Sequence, residues 1–167
     1  DVVWDWDLVN NTLWWNEGMN YVFGYNIDDL EPGADSWYNR IHPQDRDRIL
    51  ASVHTVIDNG GSSWSGDYRF LKADGTYAYV HDRGYTVYED NRVIRMLGSV
   101  HDVTSTVLHK QAREESEEKL RFALQSAQLG IWNLNPSTNI IEWDERCREL
   151  FGFSRSAFIT YENCFQN

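Results

Sequence analysis

Proline and cysteine are scarce in this chain, which has three and two of them among 167 residues. The cysteines, Cys147 and Cys164, lie near the C-terminal end without the CxxC spacing of a redox or metal-binding pair. They predict no disulfide framework and fit a reducing, cytoplasmic setting. No run of 18 or more apolar residues occurs, so the sequence predicts no membrane span, although a larger parent protein could be attached to a membrane.

Basic residues are also few, with 15 Lys and Arg against 26 Asp and Glu, a net charge of -11. A chain of this charge repels phosphate backbones, so we expect no direct nucleic-acid partner. Asp1 is not an initiator methionine and no basic-then-apolar leader precedes the first predicted strand. We therefore expect a segment of a longer protein.

Catalytic and metal-binding motifs are missing from the sequence. There is no GxSxG, no glycine-rich phosphate loop and no HExxH motif, and the five histidines do not have a zinc-ligand spacing. His81-Asp82 and His101-Asp102 are adjacent pairs in predicted strands, where neighbours point to opposite faces. Neither pair can therefore act as a base and its orienting group. We expect that this segment is not an enzyme and holds no metal.

Aromatic residues are abundant, with eight Trp, nine Tyr and seven Phe, and they reveal an internal repeat. Residues 3–30 match residues 131–158 without a gap, so that Trp4 corresponds to Trp132. Identical pairs are Trp4/Trp132, Asn11/Asn139, Trp15/Trp143, Glu17/Glu145, Phe23/Phe151 and Gly24/Gly152. The period is far longer than a solenoid unit, which indicates tandem copies of one domain, the second cut short.

The hydrophobic pattern predicts an α+β domain over residues 1–104. Two strands joined by a two-residue turn at Asn10-Asn11 come first, then short helices, one longer helix that starts at Pro43, and three strands with hairpin turns. Such an order predicts an antiparallel sheet with helices on one face. A charged connector helix is predicted over 105–128, and 129–167 is the partial second copy. With Leu120 at a heptad a position, Arg113 and Ser116 occupy the preceding a and d positions, so a solvated spacer and a dimer seam both stay open.

Several short motifs resemble those of the PAS family. Phe23-Gly24-Tyr25 matches its usual Phe-Gly-Tyr, and 42–45 (His-Pro-Gln-Asp) resembles its His-Pro-Asp-Asp helix start. The stretch 64–76 looks like the start of the C-terminal PAS motif, and 98–104 looks like its close. The resemblance covers 1–104 and recurs in part over 130–158. It implies a five-stranded sheet around a small cavity, in a sensing or relay module of a larger signalling protein such as a bacterial sensor histidine kinase.

The same resemblance suggests which residues line a ligand cavity and argues against two cofactors. Cavity candidates are Tyr38, Ile41, Val53, Tyr68, Phe70, Met96, Gly98 and Val100, although these side chains could equally be plain core. Flavin-binding light sensors of this fold carry Asn-Cys-Arg-Phe, whereas 37–40 reads Trp-Tyr-Asn-Arg without a cysteine. Haem-binding relatives place a histidine on the long helix, and His54 lies there, but on the flank of the apolar stripe.

Signal output is assigned to the end of the last strand. Asp102 or Thr104 could accept hydrogen bonds from the first free N–H groups of the connector helix and so pass a sheet distortion to it. Two readings stay open: a small-molecule sensor, or an interaction module without a ligand that forms a homodimer through its sheet face or connector. Outward Leu97 and Val103, with Trp4 or Trp6 expected to be partly exposed, favour a covered outer sheet face. The partial second copy would leave a sheet edge open, so we expect another surface to hold 130–167.

Overall fold

A computed structural model describes residues 1–127 and 129–152. The chain forms two compact units, Asp1–His109 and the part from Lys110 onward. The strands of the first unit are β1 (Val2–Asp7), β2 (Thr12–Trp15), β3 (Ser63–Leu71), β4 (Tyr77–Glu89) and β5 (Arg92–Asp102). Its helices are α1 (Gly18–Phe23), a 3-10 turn (Ile27–Asp29), α2 (Asp35–Tyr38) and α3 (Pro43–Asp58). Helix α4 (Thr104–Ser126) leads into β6 (Trp132–Asn135), β7 (Ile140–Trp143) and α5 (Glu145–Phe151).

The first unit is built on one antiparallel sheet in the order β2-β1-β5-β4-β3. Inward and outward side chains alternate along each strand, and the inward face carries the buried core with α1 and α3 packed on it. The predicted α+β fold with a five-stranded antiparallel sheet is therefore confirmed. No helix in the described part of the chain is long and apolar enough to cross a membrane.

Helix α3 forms where the sequence predicts it and is held at its start. The Nδ1 atom of His42 accepts a hydrogen bond from the backbone N–H of Gln44, and Pro43 takes the first helical position. Asp45 in the first turn accepts from the Arg69 guanidinium at 2.8 Å, which ties the helix to β3. Burial of Ile49 and Val53 then turns the apolar stripe of the helix onto the sheet.

One row of residues crosses all five strands on the inner face. The register pairs Trp15 with Trp4, Trp4 with Gly98, Gly98 with Gly84, and Gly84 with Trp64. A Cβ atom at Gly98 would overlap the Trp4 ring and the Arg83 carbonyl oxygen, and one at Gly84 would lie 2.6 Å from the Trp4 ring. The indole of Trp4 therefore lies across β5 and β4 at Gly98 and Gly84, where neither strand has a side chain.

The β1–β2 hairpin corrects two expectations. Its loop has four residues, 8–11, because Asp7 pairs with Thr12 and its carboxylate accepts from the N–H groups of Val9 and Asn10. The predicted two-residue turn is thus wrong, although Asn11 does take a positive φ of 50°. Trp4 and Trp6 are buried, at 5% and 6% exposed, rather than partly exposed. The reason is that alternate residues of a strand point to the same face, and Trp4 and Trp6 lie on the inward face of β1 with Val2.

The hairpin of the second unit repeats that of the first residue for residue. Trp132 pairs with Trp143 as Trp4 pairs with Trp15, and Asn135 accepts from the N–H groups of Ser137 and Thr138 as Asp7 does in the first copy. Both loops end on an asparagine with positive φ, and both following helices end on a glycine in the left-handed conformation. The repeated sequence therefore forms a repeated structure.

The described second unit ends at residue 152. Its Cys147 is buried and free, whereas Cys164 lies outside the described residues. Trp132 and Phe151 are 61% and 66% exposed. The expectation that another surface holds 130–167 falls partly on residues outside the described ranges and stays a prediction.

Replacing Gly98 by alanine should destabilise the first unit by about 3 kcal/mol, because the added methyl group overpacks the Trp4 ring and a backbone oxygen at once. Urea denaturation of both forms measures the loss. Gly75→Ala is the control, since its Cβ would meet no atom within 4 Å and the variant loses only about 1 kcal/mol for the positive φ. Equal losses of stability in the two variants would show that the Trp4 ring does not depend on the absence of a Cβ atom at Gly98.

Candidate functional site

The core of the first unit contains a small cavity that is walled mainly by tryptophan. We call its five indole residues the indole cage: Trp4, Trp6, Trp15, Trp37 and Trp64. Leu13, Val53 and Asp82 complete the lining. The cavity volume is about 10 Å³, which is room for about one water-sized guest.

The cage is assembled from the sheet and from helix α2. Trp6 and Trp37 have ring centroids 6.3 Å apart with planes inclined by 59°, and Trp37 and Trp64 are 5.8 Å apart and inclined by 80°. Steeply inclined rings surround a space, whereas parallel rings would stack and close it. Helix α2, short as it is, brings Trp37 to the middle of this arrangement.

Each indole N–H of the cage donates to a protein acceptor. Trp15 donates to Ser36 Oγ at 3.0 Å, Trp64 to Ser52 Oγ at 2.9 Å, and Trp6 to Asn11 Oδ1 at 3.3 Å. Trp4 and Trp37 donate to Asp82 Oδ1 at 2.8 Å and to the Tyr68 hydroxyl at 2.7 Å. The polar ends of the rings are therefore engaged, and carbon surface with its π electrons is what the rings offer to the cavity.

Asp82 is the ionisable residue in the lining of this cavity and is 1% exposed. Its Oδ2 atom accepts from the Tyr68 hydroxyl at 2.8 Å while Oδ1 accepts from Trp4. The Tyr68 hydroxyl in turn accepts a hydrogen bond from Trp37. A chain of hydrogen bonds therefore leads from the Trp37 indole through Tyr68 to the carboxylate. The Trp4 and Tyr68 donors both point toward Asp82, and the Trp37 donor points toward Tyr68, an arrangement that suits the ionised form of Asp82.

Burial opposes that ionised form. It raises the pKa of Asp82 from 3.8 to about 7, although the hydrogen bonds from Tyr68 and Trp4 lower it. Burial also raises the pKa of the Tyr68 hydroxyl well above its usual value, and the neighbouring Asp82 charge adds to this effect. The carboxyl group of Asp82 is therefore balanced near neutral pH between its two forms.

Of the eight cavity candidates from the sequence, one, Val53, is among the residues that line this cavity. Gly98 lies beneath the Trp4 ring. Buried in the same core are Ile41, Tyr68, Phe70, Met96 and Val100. Tyr38 is half-buried, and its hydroxyl lies 3.3 Å from Nε2 of His54, which is itself exposed on α3.

Sequence reasoning missed the cage and Asp82. A signal existed in β4, where Ala78, Val80 and Gly84 alternate with polar residues and so place Asp82 on the inward face. The prediction that His81 and Asp82 point to opposite faces is confirmed, because Nδ1 of His81 lies 2.6 Å from Asp67 Oδ1 on the outer side. Within the described ranges, no three His, Cys, Asp or Glu side chains are grouped as metal ligands.

The junction between β5 and α4 brings together the two residues that the sequence assigns to signal relay. Asp102 Oδ1 accepts from the backbone N–H of Thr104 at 2.9 Å. The Thr104 hydroxyl oxygen accepts from the backbone N–H of Tyr79 on β4, also at 2.9 Å, and the Val103 N–H donates to the Tyr79 carbonyl. The first turn of α4 is therefore hydrogen-bonded to both β5 and β4.

Residues 12–100, more than half of the chain, match the family model described as the PAS fold. The chain belongs to the PAS fold family. This fold is a sensory rather than a catalytic one, and it occurs in histidine kinases and diguanylate cyclases of signal transduction.

Relatives and solved structures agree with that assignment. The chain is 20% identical over 137 residues to "Probable diguanylate cyclase DgcE" of Escherichia coli and 20% identical over 151 residues to hybrid signal transduction histidine kinase I of Dictyostelium discoideum. These matches take 81% and 89% of this chain but 12% and 8% of the relatives, so the chain spans a small part of their length. A sensory box histidine kinase/response regulator from Burkholderia thailandensis superposes with a TM-score of 0.60 at 25% identity, over 72% of this chain and 89% of that one.

Asp82 should make the stability of the first unit fall as pH rises. Its pKa is higher in the folded state than in the unfolded chain, so its contribution is complete below about pH 4 and is lost through about pH 7, a change of about 4 kcal/mol. Urea denaturation from pH 4 to 8 measures the slope, which should be weaker in Asp82→Asn. The exposed Asp47→Asn should keep the wild-type slope. If the pH dependence of stability is unchanged in Asp82→Asn, it does not arise from Asp82.

Proposed function

We propose that this chain is the sensory module of a larger signalling protein and relays a ligand or conformational signal through α4. The main observation in its support is the hydrogen-bonded junction of Asp102, Thr104 and Tyr79, which connects the start of α4 to two strands. β5 is the central strand of the sheet, so a shift in the core that moves the sheet also moves the point where α4 begins. On this proposal the segment itself catalyses no reaction.

A bacterial sensor histidine kinase is the parent that we propose. The match to the sensory box histidine kinase/response regulator of Burkholderia thailandensis supports it, and the cyclase relative gives the alternative output. We place the module in the cytoplasm, with a parent that can be attached to a membrane. We also propose that 1–104 is one PAS domain, that 105–128 is the connector, and that 129–167 begins a second PAS domain, as the repeated hairpin register suggests.

The ligand-binding part of the proposal centres on the core cavity. Val53 lines it, whereas the other candidates from the sequence are not among its lining residues and stay proposals as ligand contacts: Tyr38, Ile41, Tyr68, Phe70, Met96, Gly98 and Val100. The exposed His54 ring faces Tyr38 rather than the cage, which weighs against a role as haem ligand. We therefore propose a small guest without haem or flavin-adduct chemistry.

A second candidate function, homodimerisation, is favoured by the outer sheet face. Four exposed apolar residues form what we call the outer patch: Val3, Trp14, Tyr85 and Leu97, at 40%, 58%, 64% and 39% exposed. The register places Trp14 and Leu97 on either side of Asp5, and Leu97 beside Tyr85, so the patch crosses four strands. Several exposed apolar side chains on one sheet face are typical of an interaction surface, and a second copy of the chain is the partner that we propose.

The connector is less suited to that dimer than the outer patch. Its apolar residues Leu108, Leu120 and Phe122 are exposed but lie among charges that already pair within the helix. These intrahelical pairs are Lys110–Glu114, Arg113–Glu117, Lys119–Glu115 and Arg121–Glu118. Pairs of this kind stabilise a solvated single helix and need no partner.

Removing the Thr104 hydroxyl should uncouple the domain from its output. In the full-length protein, Thr104→Val loses the acceptor for the Tyr79 N–H, so the signal-dependent change in kinase or cyclase activity should fall at least fivefold. Stability should fall by about 1 kcal/mol. Thr104→Ser keeps the acceptor and should respond normally. A normal response in Thr104→Val and in Asp102→Ala, measured with both proteins folded, would reject the relay.

Leu97→Glu should weaken a homodimer at least tenfold, because it places a carboxylate beside Asp5 in the middle of the outer patch. Sedimentation equilibrium of the chain gives the dissociation constant. The matched variant Leu120→Glu changes an equally apolar exposed residue on α4 and should leave that constant within twofold. The reverse order of effects would assign the interface to the connector.

A further inference from the structure

The hydrogen bonds around Asp82 are arranged for one of its two charge states. Its carboxylate accepts from the indole N–H of Trp4, from the hydroxyl of Tyr68 and from the backbone N–H of Arg83. An ionised carboxylate only accepts hydrogen bonds, so this form matches all three donors. The Tyr68 hydroxyl oxygen is engaged as well, because it accepts from Trp37. In the ionised state, each donor of this network therefore has its acceptor.

A proton on the carboxyl group of Asp82 creates a conflict in the same network. The carboxyl group then carries an O–H donor that needs an acceptor of its own. The other residues that line the cavity are Trp, Leu and Val, whose side chains have no acceptor. The acceptor within reach is the Tyr68 hydroxyl oxygen, 2.8 Å from Oδ2 of Asp82. Since two facing O–H groups cannot both donate to each other, the Tyr68 hydroxyl has to turn away.

Both charge states of Asp82 are accessible near neutral pH. Burial outweighs the hydrogen bonds and raises the pKa of Asp82 to about 7. Burial also raises the pKa of Tyr68 on β3, which therefore keeps its proton. His81, held by Asp67 on the opposite face of β4, has a smaller lowering effect on the pKa of Asp82. The other elements packed in this part of the core place residues without an ionisable side chain there: Trp4 on β1, Val100 on β5, Trp37 on α2 and Val53 on α3.

A surface groove links the surroundings of Asp82 with the start of α4. The groove has a volume of about 250 Å³, and its lining includes Tyr68 together with Tyr79, Val103 and Val107. Tyr79 and Val103 belong to the junction that holds the first turn of α4. The side chain that has to turn when Asp82 takes up a proton therefore shares a groove with the residues that anchor the helix.

The register of the sheet gives a second connection to the helix. Asp82 on β4 pairs with Val100 on β5, and two residues along each strand Val80 pairs with Asp102. The carboxylate of Asp102 accepts from the backbone N–H of Thr104, the first residue of α4. A displacement of β4 or β5 at Asp82 is therefore two residues away from the anchor of the helix.

We propose that the module senses protons: as pH falls, Asp82 takes up a proton from solvent water, the Tyr68 hydroxyl turns, and β4 and β5 shift the start of α4. The inference rests on the proposed sensory function and names its signal. One O–H bond forms at a carboxyl oxygen, the proton comes from water, and no other covalent bond changes. A proton needs no room in the small apolar cavity, so the size of the cavity sets no limit on this signal.

Proton–nitrogen NMR of the chain from pH 5 to 9 tests the coupling between the core and the junction. The Trp4 indole N–H and the backbone N–H groups of Tyr79 and Thr104 should shift with one common midpoint near pH 7. The indole N–H of the exposed Trp14 should show no such transition. His81→Gln removes the nearby imidazole and should leave the transition in place. A transition that disappears in His81→Gln would belong to that histidine and would overturn the proposal.

The output of the full-length protein tests the signal itself. Its kinase or cyclase activity should change at least fivefold between pH 6 and pH 8, the lower end of the usual coupling between two sites. Asp82→Asn carries no charge at either pH and should keep only the pH dependence that the output domain has by itself. Asp47→Asn, an exposed residue of α3 with the same change of charge, should respond like the wild type.

Trp4→Phe keeps the proposal testable if Asp82→Asn does not fold. It removes a donor that favours the ionised carboxylate, so the midpoint of the Tyr79 and Thr104 signals should move to higher pH. The midpoint of the output should move by the same amount, and unequal shifts would show that the output does not follow Asp82. If neither variant folds, the common midpoint in the wild type still decides.

The outcomes separate the signal from the relay. An output whose pH dependence is the same in wild type and Asp82→Asn would overturn proton sensing, and so would Tyr79 and Thr104 signals that do not follow the Trp4 transition. Neither result touches the relay of a different signal through Thr104. A pH response that is lost in Asp82→Asn but persists in Thr104→Val would instead keep Asp82 as the sensor and reject the relay through Thr104.

Discussion

The position of the Trp4 indole is the constraint on which the inner face of the sheet depends. The ring lies over Gly98 and Gly84, where any side chain would overlap it or crowd it, and its N–H reaches Asp82. Two glycines in the middle of neighbouring strands cost conformational entropy and add no packing surface of their own. The large buried area of one indole and a hydrogen bond to a buried carboxylate offset that cost.

That constraint extends to the rest of the core through hydrogen bonds rather than contact alone. Trp4 on β1 and Tyr68 on β3 both donate to Asp82 on β4, and Trp37 on α2 donates to Tyr68. Because each donor is fixed by its own strand or helix, the carboxylate joins three strands and one helix. Removing one partner would leave a buried polar group without its bond, which is the costly case for such a network.

Pattern arguments predicted the fold of this chain better than its site. Alternation and turn residues were sufficient for the strand sequence, and the first turn of α3 follows from Pro43 and Asp45. They could not show that Trp4 points inward, since a tryptophan suits either face of a half-buried strand, and the expectation of an exposed ring was wrong. Asp82 was missed because a charged residue is expected at the surface, and its burial depends on donors far away in sequence, at Trp4 and Tyr68.

The path from the core to α4 is short because Asp82 and Tyr79, the residue that anchors the start of α4, both lie on β4. Asp82 is held from the inner face of that strand, and three residues earlier the backbone of Tyr79 bonds to Thr104 and Val103 at the start of the helix. In the proposed relay, a change in the charge of Asp82 would alter its hydrogen bonds with Trp4 and Tyr68, and the strand that carries Asp82 also carries Tyr79, which anchors α4. Because burial outweighs the hydrogen bonds at Asp82 and raises its pKa to about 7, its two forms are close in free energy near neutral pH, and a modest change in its surroundings is enough to shift the balance between them. For the relay that we propose, a buried acid near its midpoint gives the core two charge states, which a fully apolar core would lack even if it were more stable.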